Sequence, residues 1–336
     1  GLKHLLSLDV CFFVSLRLIY MKTRVFAFAA IVLLLSNFAS ITSAGPNTKS
    51  VKRAKANQLV AMLPASDGVV TFDVKRFFDE ALPTLFASNQ PMLAEIIAKI
   101  DKMHETTGID VRKFDLIAGG VSASELSERK YDVDAVFIAR GDVNSAELIS
   151  LAKKAADQKY KQETVNGKTM YIFAAKQIAK DKIAAAEPEK KEVVDKYLGS
   201  AMNEIALSAL DPNTVAFGRA GKVRETLEGK TRIGSDISEL LGRKEFAAMN
   251  LAGKLPTGLK SFVPLDNDEL GKSIDSIRYV FGSMDVGAGQ MTMSLTARTA
   301  QITQAKELFE TLDVMQAFGK MALGSSKRTD QQLYAR

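Results

Sequence analysis

The chain of 336 residues contains one cysteine, two histidines and no tryptophan. Each shortage removes a class of function. Cys11 by itself closes no disulfide and builds no thiolate metal site. His4 and His104 are too few for a multi-histidine metal centre. With no tryptophan and only 7% aromatic residues, a carbohydrate face of exposed aromatic platforms is disfavoured. Long apolar runs are scarce too. The longest, Val25 to Leu35, falls short of the about 20 residues needed to span a bilayer.

What surrounds that run is informative. Met21, Lys22 and Arg24 precede it, and small and polar residues ending in Thr42-Ser43-Ala44 follow. This is the three-part order of a secretory signal peptide. Residues 21–44 are therefore expected to be removed, leaving Gly45 as the mature N-terminus. Residues 1–20 read as a mistranslated upstream segment. Without residues 1–44 the chain loses Lys3, Arg17, Lys22, Arg24 and Asp9, so 41 cationic residues face 38 acidic ones and the net charge falls from +6 to +3. The remaining excess is spread along the chain, which weakens a nucleic-acid reading. Cys11 leaves with the leader, and no cysteine follows the apolar run to carry a lipid anchor.

The rest reads as a flexible lead-in at 45–57, a first α+β half at 58–175, a charged helical connector at 176–200, a second α+β half at 201–323 and a disordered tail at 324–336. Gly68–Phe72 has strand composition, and Asp73 can cap a helix that Pro83 bends or ends. A second helix aligns Leu93, Ile96, Ile97, Ile100 and His104 on one stripe. Strands are expected at Asp115–Val121 and Asp134–Ala139 around a charged loop. Asn144 with Glu147 opens another helix, and Asn166-Gly167 marks a hairpin. Residues 69–82 align with 214–227 at an offset of 145, and Ala139-Arg140 with Ala297-Arg298 at 158. These matches predict an internal duplication. Alternation of Met291, Met293, Leu295 and Ala297 with Thr292, Ser294 and Thr296 points to antiparallel pairing. The expected fold is α+β: two similar halves, each a mainly antiparallel sheet backed by helices.

Catalytic motifs fail one by one. His104-Glu105 begins H-E-x-x-H, but Gly108 stands where the second imidazole belongs. Lying on the apolar stripe, His104 reads as a neutral packed residue at a core margin. Gly120–Ser124 approaches a nucleophile elbow but ends in serine, and no histidine follows it. Ser127–Lys130 fits S-x-x-K without its companion motifs. Two G-K-T triplets, Gly167–Thr169 and Gly229–Thr231, lack the earlier glycine of a phosphate loop. Asp266, Asp268 and Gly271 start a calcium-loop pattern that Leu270 and Ile277 break. Gly287–Gly289 reads as a turn. No residue is nominated as catalytic, cofactor-binding or metal-ligating, and no cofactor is expected.

"LPASDGVVTFDV", "DAVFIARGDVNSAEL", "NGKTMYIFAA" and "ALSALDPNTVAFGRAGKVRETLEG" together resemble exported bacterial proteins of domain families without an assigned activity. The resemblance spans roughly 59–323 and implies an envelope-associated α+β fold with duplicated strand-helix-hairpin units. It implies no catalytic residues. The expected function is a non-catalytic binding or structural module of the cell envelope, periplasmic or extracellular, with an envelope ligand or protein as partner. Nucleic acid and a membrane span after cleavage are not expected, and oligomeric state is left open. The alternative is a carboxylate-dependent hydrolase acting outside the cytoplasm. Mass spectrometry of the exported fraction should find a mature N-terminus at Gly45. A dominant form containing a peptide across Ala44-Gly45 would refute the cleavage.

Overall fold

The computed structural model describes residues 56–127, 130–178, 204–242, 247–255, 275–287, 289–310 and 313. The leader at 1–44, nearly all of the lead-in, most of the connector, the calcium-like loop and the tail lie outside these residues. Ten strands form one sheet in the order β10-β9-β8-β1-β2-β3-β7-β6-β5-β4, with every neighbour antiparallel. In chain order they are β1 Gly68–Asp73, β2 Phe114–Ser127, β3 Lys130–Gly141, β4 Lys161–Val165, β5 Lys168–Phe173, β6 Ile205–Asp211, β7 Thr214–Arg219, β8 Met249–Lys254, β9 Ile277–Gly287 and β10 Gln290–Thr299. The α+β class and antiparallel pairing follow the expectation; a separate sheet for each half does not. The strands of the two halves interleave, with β6 and β7 wedged between β3 and β5. The physical reason is backbone pairing: a split sheet would leave two further edges with unpaired N–H and C=O groups.

Alternation along the strands divides the side chains between two faces. On the first face Val69, Ala118, Val136, Ile138, Met170, Ala206, Ala216 and Ala252 form one apolar floor. Three helices cover it. Helix α1 (56–62) and the turn after it contribute Leu59 and Leu63, α5 (Ala220–Glu228) Val223 and Leu227, and α6 (Ser235–Leu241) Ile237 and Leu240. Each large side chain fully buried here contributes about 1.5–3 kcal/mol relative to exposure. The second face is covered mainly at one end. There Val74, Phe114, Ala139 and Val215 cluster beneath the helices that follow β1 and β3, with Phe72, Phe78 and Leu148 partly buried beside them.

Helix α2 is assembled from Val74–Arg76, a wide π turn Phe77–Ala81 and Leu82–Leu85. The Asp73 side chain accepts from the Arg76 N–H at 3.0 Å, as the cap reading requires. Pro83 does not end the helix. The π turn lies just before it, a feature that lets a helix absorb a proline's missing N–H and ring clash. Helix α3 (Gln90–Thr107) matches its apolar stripe, yet no residue in it is buried, and Met92 and Ile97 are exposed. His104 is exposed too. Its expected place at a core margin is therefore corrected: among the described residues no sheet face or helix buries this stripe. Arg112 holds the helix, pairing with Asp101 at 2.8 Å and Asp110 at 2.8 Å.

The expected charged loop between the second and third strands is largely strand, because β2 and β3 pair out to Ser127 and Lys130. Helix α4 (Ser145–Ala155) has its Asn144 cap, whose side chain accepts from Ala146 N–H at 3.0 Å and Glu147 N–H at 3.2 Å. The β4–β5 hairpin turns at Asn166 (φ 47°) and Gly167 (φ 75°), the left-handed pair of a type I′ turn. Asn166 Nδ2 also donates to the carbonyls of Leu227 and Glu228, at 3.0 and 3.1 Å, closing the C-terminus of α5. In β10 the alternation is present but burial is partial: Met291, Met293 and Leu295 are half-buried and Ala297 is exposed. Helix α7 (302–310) follows, with Leu308 buried and Phe309 exposed.

β1 and β7, aligned at the 145 offset, have different neighbours, and the helices after them lie on opposite faces. The flanks of the central β1–β8 pair run alike instead. Val70 pairs with Gly119 and Gly119 with Phe137; Leu251, the partner of Val70, pairs with Gly282 and Gly282 with Leu295. Phe137 and Leu295 are 158 residues apart, the second sequence offset. A Cβ on Gly119 would meet the Phe137 ring at 2.8 Å, and one on Gly282 would meet Ser294 O at 2.3 Å and Leu295 Cδ1 at 3.1 Å. Two mutations test these assignments. Asn166→Ala should destabilise by about 1 kcal/mol, losing a turn former and two hydrogen bonds to the end of α5, one part-buried and one exposed, as read by a lower urea midpoint at constant slope. His104→Gln should stay within about 0.5 kcal/mol, as expected for an exposed position.

Candidate ligand cleft

Helices α1 and α6 both lie on the first face, and between them the sheet is uncovered over the central pair β1–β8. The result is a cleft of about 590 Å³, within the range of small-molecule sites. Val60 and Ala61 of α1 form one wall, and Ile233 and Leu241, at and within the α6 segment, form the other. The floor is the cross-strand pair Thr71 and Asn250. These residues point to the first face because they alternate with Val70 and Leu251, which point to the second. Thr71 is 9% and Asn250 7% exposed. Neither side chain hydrogen-bonds to a protein group among the described residues. Their polar atoms open into the cleft, so this floor has hydrogen-bonding capacity directed at a guest.

Polar ties hold the walls. Arg140, on β3, donates through Nε to Thr214 Oγ1 at 2.8 Å and through Nη1 to Gln58 Oε1 of α1 at 3.2 Å. Lys222 Nζ of α5 donates to Ala65 O just beyond α1, at 3.3 Å. On the opposite wall Asp236 accepts from Tyr279 Oη at 2.8 Å and pairs with Lys254 Nζ at 2.9 Å, fixing the first turn of α6 to β8 and β9. The hydrogen bond from Lys254 is the main influence holding the Asp236 carboxyl below its usual range, with Tyr279 adding to it. The same carboxylate raises Lys254 and Tyr279. Arg224 clasps Glu163 through Nε and Nη2 at 2.8 and 2.6 Å, binding α5 to the edge strand β4. At the rim, Arg232 is exposed and donates to Thr231 O at 3.1 Å; no carboxylate pairs with it among the described residues.

The motif residues weighed in the sequence do not converge here. Gly120–Ser124 lies within regular β2, with no strand-to-helix elbow. The first G-K-T forms the β4–β5 turn, as anticipated. The second follows the C-terminal end of α5, where the helix dipole disfavours phosphate. Gly289 turns the β9–β10 hairpin at φ 73°. Asp132 and Asp134 are both paired with Arg219, and neither is among the residues lining the cleft. Glu239 is the one carboxylate among the lining residues. Among the described residues, no group of three or more His, Cys, Asp or Glu is arranged to hold a metal, and no helix is long and apolar enough to cross a membrane. The cleft itself was invisible in the sequence, because its floor pairs residues remote in the chain. The only local signal was a polar residue at an inward position of each strand.

No family model matches the chain, and no curated protein matches it. Among solved structures it is similar to "Structure of crystal form III of TP0453", at 11% identity and a TM-score of 0.39, covering 75% of this chain and 85% of that one. Nothing is carried over from a likeness of that size.

The Asp236 clamp gives a pH prediction. A carboxyl whose folded pKa is depressed adds stability above its unfolded pKa of about 3.9, and that stability is lost as pH falls through the lower folded value. Asp236→Asn should therefore lower the melting temperature near neutral pH. The wild-type and variant curves should draw together below about pH 4. A gap that persists unchanged into acid would show that the clamp is not electrostatic.

Proposed function

We propose that the chain is an exported, non-catalytic binding module and that the cleft between α1 and α6 is its ligand site. The observation that carries this reading is the Thr71–Asn250 pair, without a protein partner among the described residues, at the floor of a cleft walled by Val60, Ala61, Ile233 and Leu241. Such a pair orients a guest by hydrogen bonds while apolar walls supply affinity. Among the described residues Glu239 is the one carboxylate lining the cleft, so no two carboxylates face each other there, while Asp132 and Asp134 pair with Arg219, Glu163 with Arg224 and Asp236 with Lys254. Binding is thus better supported than acid–base chemistry. Export rests on the leader-like residues 21–44 and places the module in the envelope or outside it. The envelope-family resemblance of residues 59–323 is consistent with that address.

We also propose that the two halves descend from a duplication centred on β1 and β8. The matching flank registers and the shared 158 offset support it. In this reading the hairpins β2–β3 and β9–β10 are the repeated units.

Native mass spectrometry of protein taken gently from the exported fraction tests the site. The wild type should carry a non-covalent adduct of small-molecule mass, and Asn250→Leu, which fills the floor with an apolar group, should lose it. Thr71→Val, a milder change at the same floor, should reduce it. Equal adduct occupancy in all three folded proteins would refute the cleft as the binding site.

A further inference from the structure

The rim of the cleft narrows the class of ligand, an inference that rests on the cleft being a binding site. Three kinds of group face a guest. The floor offers the Thr71 hydroxyl and the Asn250 amide, each able to donate and accept. Val60 and Leu241 offer apolar surface. Arg232 offers an exposed guanidinium whose only hydrogen bond among those described goes to the neighbouring Thr231 carbonyl. That bond leaves most of the five guanidinium N–H donors available. Glu239, the acidic lining residue, is not free, whereas Arg232 has no acidic partner among the described residues.

We propose that the cleft takes a small organic monocarboxylate whose apolar skeleton also carries an amide or hydroxyl group. The carboxylate meets Arg232 in a bidentate, charge-assisted pair at the rim. The uncharged polar group descends to Thr71 and Asn250, where an amide can satisfy the Asn250 carboxamide by reciprocal donation and acceptance. The skeleton lies against Val60 and Leu241. A dianion is disfavoured because Arg232 is the one cation among the described lining residues and Glu239 is nearby. A purely apolar guest is disfavoured because it would leave the floor unpaired, the more expensive outcome.

N-acetyl-leucine and its neutral counterpart N-acetyl-leucinamide are suitable probes, since they differ only in the charged end. Each is titrated into the isotopically labelled full chain and followed by amide chemical shifts, with spectral dispersion confirming the fold of every variant. The acid should perturb the cleft residues and bind about tenfold more tightly than the amide. Arg232→Gln should erase that difference, weakening the acid far more than the amide. Thr71→Val should weaken both probes alike, and Asn250→Leu should abolish both. If acid and amide perturb the cleft with equal affinity, the carboxylate assignment is wrong while the binding site stands. If neither probe perturbs the cleft, both this assignment and the cleft's role as a binding site fall.

Discussion

An open sheet ten strands wide has two apolar-capable faces and must bury both, or enough of both, to be stable. Most of what the helices do follows from that requirement. On the first face the floor from Val69 to Met170 is continuous, and α1 on the one hand and the neighbouring α5 and α6 on the other are drawn onto it from two distant parts of the chain. Because these helices are short, they cannot tile the face completely. The uncovered interval falls over β1–β8, and there the inward positions are Thr71 and Asn250 rather than more valine or alanine. The same demand for coverage that makes the core therefore also leaves the cleft, with polar residues where coverage stops.

Local physics was legible wherever one residue decides a local geometry. Asp73, Asn144 and Asn166-Gly167 each formed the cap or turn that their side chains dictate. The α+β class and the antiparallel pairing could be read from alternation in β10. What failed depended on contacts that periodicity does not report. An apolar stripe with Ile97 and His104 states that one side of α3 is suited to burial, not that anything arrives to bury it. The serine- and charge-rich run after Val121 looked like a loop by composition, but the backbone ladder to β3 continues through it, and Ala123 and Ser124 within it are exposed.

The candidate site was not legible for a related reason. Thr71 and Asn250 are unremarkable within their own strands, and become a pair only through the register of β1 with β8. Arg232 directly follows the Gly229–Thr231 triplet, but that triplet lacks the earlier glycine of a phosphate loop and did not single it out. The sequence could rule on motif chemistry, since histidine and cysteine are so few. It could not point to a site defined by which polar groups lack partners, because partnership belongs to the folded molecule alone.

The wedging of β6 and β7 between β3 and β5 bears on how the chain can assemble in time. As the polypeptide emerges from its N-terminus, β4 and β5 are complete while the strands that join them to β3 do not yet exist. The early product is then a three-stranded sheet and a detached hairpin, each with open edges and too little buried surface to persist. Closure waits for residues beyond 200, so that folding is a late, largely all-or-none event that favours an unfolded nascent chain. A chain delayed in this way stays threadable for longer, but exposes unpaired strands for longer as well, and its yield should depend on holding factors that shield them.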